Sequence, residues 1–255
     1  MMERQSIRCS IPGRHGALAA ILDRPVEEPL AFGVFAHCFT CTKDLKAIVK
    51  ISRHLATLGW AVLRFDFAGL GNSEGEFSDT TFQDNLSDVR STMEYVSKEY
   101  EAPRFLMGHS LGGSAMMATA MEFDSVEAVS VIASPSDTRH LADTIHRLNP
   151  AVEEQGEGMV NTGTYEYLIK KHTVDELRRY DLPAQLGANT KRILVFHSPA
   201  DKTLGMEHAF AIADKSGGPV SIVDLENANH LMTNDARDCE FIAESLASWL
   251  KRYLV

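Results

Sequence analysis

Short apolar runs alternate along this chain with segments whose apolar residues recur at every third or fourth position. Gly16 to Leu22 and Ala31 to His37 read as strands, and the second is nearly all apolar, as a strand covered on both faces should be. Lys43 to Leu58 instead carries Leu45, Ile48, Val49, Ile51 and Leu55 at helical spacing, with Gly59 at its end. Trp60 to Phe67 predicts a further strand. Thr80 to Tyr100 predicts a helix that Thr80 or Thr81 can cap, with Pro103 marking its exit. The rhythm continues with a strand over Arg104 to Gly108, a helix over Leu111 to Phe123 and a strand over Val126 to Ala133. Strands at Ile193 to His197 and Val220 to Leu225 flank a helix at Met206 to Asp214, and a last helix covers Ala236 to Tyr253. Repeated strand–helix units predict an α/β fold, a mainly parallel sheet with helices on both faces. The two leading strands, joined without a helix, predict an antiparallel start.

Ser134 to Asn189 breaks the rhythm. Connections that long in a compact domain are usually functional, and this one predicts a small cap. Inside it, Met159–Val160 and Tyr165–Ile169 flank Asn161-Thr162-Gly163 as a hairpin would, and Leu141, Met159, Tyr165 and Tyr167 are candidate pocket walls. With no repeat and no long linker, the 255 residues read as a single domain, 1–255, carrying the cap at about 134–189.

Charge narrows the function. A formal net charge of −10, with no basic run to offset it, repels phosphate backbones and argues against nucleic-acid partners. Met1 to Arg8 lack the apolar core of a secretory signal, and the longest apolar stretch, around Leu30 to Phe39, is too short to span a bilayer. The cytoplasm is therefore the expected compartment, with no membrane partner. The four cysteines, Cys9, Cys38, Cys41 and Cys239, are too few and scattered for a disulfide framework. Cys38 and Cys41 form a C-x-x-C, but no second pair or His cluster completes a zinc site, so no metal is expected.

Gly108-His109-Ser110-Leu111-Gly112 fits G-x-S-x-G directly between a predicted strand and a predicted helix. That placement matters more than the pattern. A nucleophilic serine there sits on a sharp strained turn, and the glycines let strand and helix approach closely. A serine hydroxyl needs a base, and the base an orienting acid, in the chain order Ser, Asp or Glu, His. Asp201 follows the Ile193–His197 strand, and His230 follows the Val220–Leu225 strand. Asp224 is the rival acid, but it falls inside its strand, on the sheet's face among Ile222 and Val223. An oxyanion hole needs two aimed N–H donors. Leu111, after the nucleophile, supplies one, and Phe39, in the loop after the Ala31–His37 strand, is the candidate for the other. Cys38 places a thiol beside that second donor, where alkylation would disturb it.

Other conspicuous residues have structural readings. His37 reads as a loop anchor, His109 as a packing residue leaving the turn on the side away from Ser110, and His197 as a core histidine. Asp66-Phe67-Ala68-Gly69-Leu70-Gly71-Asn72-Ser73 lacks the lysine and glycine spacing of nucleotide-binding loops and reads as a turn at the sheet's edge.

Assembled, these residues resemble the α/β-hydrolase superfamily over nearly the whole chain. His37 to Lys46, Arg64-Phe65-Asp66-Phe67, Phe196 to Asp201 and Asn229-His230-Leu231 further resemble a bacterial subgroup whose hydrolase domain is often fused to an OsmC-like, peroxide-handling domain. The resemblance implies a mainly parallel eight-stranded sheet, an acyl-enzyme route through Ser110, Asp201 and His230, and hydrolysis of small acyl esters without metal or organic cofactor. Cys38 departs from the glycine usual after the loop histidine. Fold alone leaves thioesterase, peptidase and non-catalytic binding members open.

Overall fold

The computed structural model describes residues 1–163 and 165–255. The chain opens with a hairpin, β1 (Arg4–Gly13) and β2 (Gly16–Pro25), and then β3 (Phe32–Ala36). Helix α1 (Lys46–Thr57) leads to β4 (Ala61–Phe65), α2 (Phe82–Glu99) to β5 (Phe105–His109), and α3 (Leu111–Thr119) to β6 (Ala128–Ile132). An excursion follows through α4 (Arg139–Leu148), α5 (Ala151–Glu154), β7 (Glu157–Asn161), β8 (Glu166–Lys170), α6 (Lys171–Arg179) and α7 (Leu182–Ala188). The chain then returns through β9 (Arg192–His197), α8 (Glu207–Lys215), β10 (Val220–Asp224) and α9 (Ala236–Leu254).

Eight strands form one sheet in the order β1-β2-β4-β3-β5-β6-β9-β10, parallel from β4 through β10. This is the α/β architecture expected from the strand–helix alternation. The antiparallel start lies elsewhere than predicted. β2 pairs antiparallel with β1 and β4, and β4 stands between β2 and β3. The missed strand β1 lies at the sheet's edge, where Ile7, Cys9 and Ile11 face inward between exposed Arg8 and Ser10. Its half-polar alternation is a weaker signal than a buried run. The β7–β8 hairpin pairs at the predicted place, but the helices around it in the cap were not foreseen.

Alternate residues of each central strand serve two separate cores. Phe105 and Met107 of β5 face the layer of α1 and α9, while Leu106 faces α2 and α3. Among the described residues no side chain caps α1, which instead buries Ile48, Ile51 and Leu55. Each such anchor contributes about 1.5–3 kcal/mol, more than the ~1 kcal/mol of a cap, so packing holds this helix in place. α2 does have its capping contact, the Thr81 N–H donating to Asp84 at 2.9 Å.

Beneath the carboxyl ends of β3 and β4 lies a buried charge network. Asp66 accepts from the Lys43 ammonium at 2.7 Å, the Lys43 N–H at 2.6 Å and the Asn72 N–H at 2.9 Å. Arg64 binds Asp23 at 2.8 Å and the Lys43 carbonyl at 2.8 Å. The Asp66-to-Ser73 turn thus clamps the loop after β3 to the end of an interior strand. Gly71 is required there, since a Cβ would lie 2.2 Å from the Asp66 carboxylate.

Asp88, fully buried on α2, accepts from the Ala68 N–H of this turn at 2.9 Å, while its other oxygen has no partner among the described residues. Burial pushes its carboxyl up to about 7. Between about pH 4 and that value the folded chain holds a proton that the unfolded chain, with its carboxyl near 3.9, has released. Stability is therefore greatest below about pH 4 on this account and falls as pH rises through that window. Asp88→Asn should flatten this dependence and raise stability at pH 8 by at most about 4 kcal/mol. Melting curves of both proteins at pH 5 and pH 8 check it; an unchanged difference between the two pH values would refute the assignment.

Candidate active site

Ser110 joins β5 to α3 with φ 52° and ψ −123°, a conformation that L-residues rarely adopt. Close approach makes the turn possible. A Cβ on Gly108 would lie 2.4 Å from the backbone of Gly113, and one on Gly112 would lie 2.3 Å from the His37 carbonyl oxygen. The turn is then held by the Ser110 N–H donating to the Ile132 carbonyl at 2.9 Å and by the Ser134 hydroxyl donating to the Ser110 carbonyl at 3.0 Å.

His230, in the loop between β10 and α9, places Nε2 3.1 Å from the Ser110 Oγ and Nδ1 2.8 Å from the Asp201 Oδ2. The other oxygen of Asp201 accepts the N–H groups of Thr203 at 2.8 Å and Leu204 at 3.0 Å. Burial alone would push the Asp201 carboxyl up. The His230 hydrogen bond and the two N–H donors outweigh it and hold the group below the ordinary carboxylate range. An ionised Asp201 keeps the proton of His230 on Nδ1 and leaves Nε2 free to accept from Ser110. Three residues from three loops thus form one continuous line of hydrogen bonds.

Asp224 does not enter it. It ends β10 exposed to solvent, and among the described residues it accepts only from the Glu226 N–H two residues on, at 2.6 Å. The expectation of a side chain among Ile222 and Val223 on the sheet's face is thereby corrected: the strand ends there, and the side chain turns out into water.

Phe39 and Leu111 lie side by side at Ser110, and among the described residues no acceptor takes either N–H. The loop bearing Phe39 is held from several directions. His37 is fully buried, with Nδ1 2.7 Å from the Cys38 carbonyl oxygen and Nε2 accepting from the Phe67 N–H at 3.1 Å. Cys38 and Cys41 form a disulfide around Phe39 and Thr40, and the Thr40 hydroxyl donates to that of Thr162 in the cap hairpin at 3.1 Å. The bridge corrects the expectation of a free thiol at Cys38. The pair was visible as C-x-x-C, but only the loop's tight turn, closed by the Cys41 N–H to the Cys38 carbonyl at 3.2 Å, brings the sulfurs together.

Ser110 and His230 open on a cleft of about 60 Å³ that Phe39, Leu111, Pro135, Leu141 and Leu204 make largely apolar. His140, Thr144 and Thr203 add polar groups. Of the four expected walls only Leu141 lines it. Met159 and Tyr165 are exposed on the hairpin, and Tyr167 packs on Phe77, which packs on Phe39, with ring centres 5.0 and 5.4 Å apart. Sequence reasoning missed His140 and Thr144, whose spacing along α4 was the available signal. A larger surface hollow of about 390 Å³, lined by Asp224, Asp235 and Phe241, contains none of Ser110, Asp201 and His230. His197 is buried as expected, its Nε2 2.9 Å from the Leu204 carbonyl oxygen. His109 is fully buried, as a packing residue should be, and its Nε2 also lies 2.7 Å from the His230 carbonyl oxygen.

A family model described as serine aminopeptidase, S33, matches residues 37–152. The esterase domain of a Rhodothermus marinus protein, known from its crystal structure, is 40% identical with a TM-score of 0.80, and the match covers 100% of both chains. Est1E from Butyrivibrio proteoclasticus, solved with ferulic acid bound, has a TM-score of 0.83 at 22% identity over 96% of this chain and 98% of its own, a likeness of fold alone. Palmitoyl-protein thioesterase ABHD10, mitochondrial, of Rattus norvegicus is 24% identical over 212 residues, 80% of this chain and 70% of the relative.

The cysteine pairing is directly countable. Iodoacetamide under denaturing but non-reducing conditions should modify only Cys9 and Cys239, and prior reduction should expose Cys38 and Cys41 as well. Modification of all the cysteines without reductant, read by mass spectrometry, would show that the bridge is absent.

Proposed function

The chain belongs to the α/β-hydrolase superfamily, and from that premise we propose that it is a serine hydrolase cleaving small carboxylic esters through Ser110, His230 and Asp201. The observation that carries the reading is the unbroken line from Asp201 through His230 to Ser110, at 2.8 and 3.1 Å, ending on a strained turn. His230 Nε2 takes the proton as the Ser110 Oγ attacks the ester carbonyl, and Asp201 stabilises the imidazolium that forms. The unpaired N–H groups of Phe39 and Leu111 receive the developing oxyanion. His230 then returns the proton to the departing alcohol, and water repeats the sequence on the acyl-enzyme. The full-length 40% match to an esterase domain supports ester hydrolysis.

A thioester is the second reading, because one relative carries the name palmitoyl-protein thioesterase. The chemistry is the same; the size is not. A cleft of about 60 Å³ lies well below the roughly 300–1,000 Å³ of pockets that enclose larger ligands, which favours acyl chains of about two to six carbons. A single domain in the cytoplasm completes the reading. Among the described residues no helix is long and apolar enough to cross a membrane.

Nitrophenyl esters from acetyl to palmitoyl, with matched thioesters, should give the highest kcat/KM at the short end. A rise towards palmitoyl would overturn the size argument. Ser110→Ala should lower kcat by at least about 10⁴-fold with little change in Tm, and should abolish fluorophosphonate labelling. Labelling that persists in this variant would disqualify Ser110. Asp201→Asn should cost on the order of 10⁴-fold by favouring the wrong imidazole tautomer. Asp224→Asn should leave turnover and Tm nearly unchanged, given its exposed position. Comparing their kinetics separates the two acids, and the reverse order would exchange their roles.

A further inference from the structure

His109 shares the tight turn of Ser110 but points away from solvent, and it is fully buried. Its Nε2 meets the carbonyl oxygen of His230 at 2.7 Å, and the two imidazole rings lie 5.1 Å apart at 45°. A carbonyl oxygen only accepts, so the His109 proton must be on Nε2. Nδ1 is then a bare acceptor, and among the described residues nothing donates to it. Burial, reinforced by the neighbouring His230, pushes the ring's pKa down to about 3, so it stays neutral wherever His230 is working.

The His230 loop seats Ala228 and Met232 in the core shared with α1 and α9, but among the described residues it makes few hydrogen bonds to the sheet. Asn229 bonds Thr233 and Asn234, and Asn234 bonds Asn227, all within the loop itself. Ser198 holds the Glu226 carbonyl at 2.9 Å, at the loop's entry. The two residues of positive φ on either side, Glu226 and Met232, make the loop a sharp protrusion, with Asn227 and Asn229 in solvent. Among the described residues, three hydrogen bonds reach back from the apex: the His230 ring to Asp201 and to Ser110, and the His230 backbone to His109.

We propose that His109 is a positioning residue for His230, its Nε2–H fixing the base's own peptide to the turn that carries Ser110. This rests on His230 being the base. The bond makes the separation of nucleophile and base a property of one local turn, where otherwise it would depend on two loops meeting across the sheet. Without it, Asp201 still holds the Nδ1 side of the ring, but the peptide can drift and the 3.1 Å approach of Nε2 to Ser110 opens. A displacement of about 1 Å costs on the order of 10²-fold in rate. The binding cleft is untouched, because His109 does not line it.

The test compares His109→Leu, which fills the space without a donor, with His109→Gln, whose side-chain amide can place an N–H near the Nε2 position. With a short-chain nitrophenyl ester, His109→Leu should lose about 10- to 100-fold in kcat at a KM within about twofold of the parent. His109→Gln should recover most of that loss. Equal activity in the two variants, whether both high or both low, would overturn the proposal. His230→Ala in the same assay separates the two claims. If it retains turnover, the base assignment itself fails; if it is inactive while His109→Leu is normal, only the positioning role fails. A measurement on the unaltered protein guards against variants that do not fold. Nitrogen-edited NMR of the imidazoles should find His109 as the Nε2–H tautomer from about pH 4 to about pH 9. A proton on Nδ1 instead would leave Nε2 unable to donate, and the proposed bond could not exist.

Discussion

The backbone at Ser110, φ 52° and ψ −123°, is the constraint around which the rest of the molecule is arranged. Such a conformation costs about 1–3 kcal/mol and persists only where its surroundings over-determine it. Here they do. The strand before the turn is hydrogen-bonded into the centre of the sheet, the helix after it is buried throughout its length, and Ser134 and Ile132 hold the turn from the adjacent strand's end. Gly108 and Gly112 remove the two Cβ atoms that would push strand, helix and neighbouring loop apart. The hydroxyl is left exposed to the cleft while its backbone is rigid.

Three of the groups at the site reach Ser110 from the carboxyl ends of other parallel strands: Phe39 after β3, Asp201 after β9, His230 after β10. Loops at that edge are not rigid by themselves, and each is fixed by a different device. The β3 loop is closed by a disulfide turn, anchored by His37 and clamped at its far end by the Lys43–Asp66 pair. Asp201 is held by two N–H groups that, together with the stronger His230 hydrogen bond, keep it ionised. The loop of His230 seats Ala228 and Met232 in the core and meets the elbow through His109. The cap closes over this edge with α4, whose His140, Leu141 and Thr144 make the cleft small, while its hairpin stacks aromatic rings back to Phe39.

Much of this was legible in the chain because it is locally encoded. Buried parallel strands must be apolar on both faces, so β3, β5 and β9 appeared as continuous runs, and the helices α1, α2 and α9 showed their buried stripes. The strand–Gly-x-Ser-x-Gly–helix junction marked Ser110 as the candidate, and chain order named His230, with Asp201 preferred over Asp224 for its place after a strand. Edge strand β1 was missed because only one of its faces is covered, and half a pattern is a weak signal against a polar background. The placement of β4 between β2 and β3 was missed because no residue of either strand records which neighbour it will have.

Sequence alone thus determined which residues are chemically able to act and which turn must be strained, since glycine spacing and apolar periodicity are properties of neighbours in the chain. Only tertiary structure decided which carboxylate meets His230, because Asp201 and Asp224 differ not in chemistry but in where their strands end. It likewise closed Cys38 to Cys41, sent Met159 and Tyr165 out to solvent, brought His140 into the cleft, and gave the buried His109 a partner in the His230 backbone. All of these depend on distances between segments far apart in the chain, and such distances exist only once the sheet has assembled.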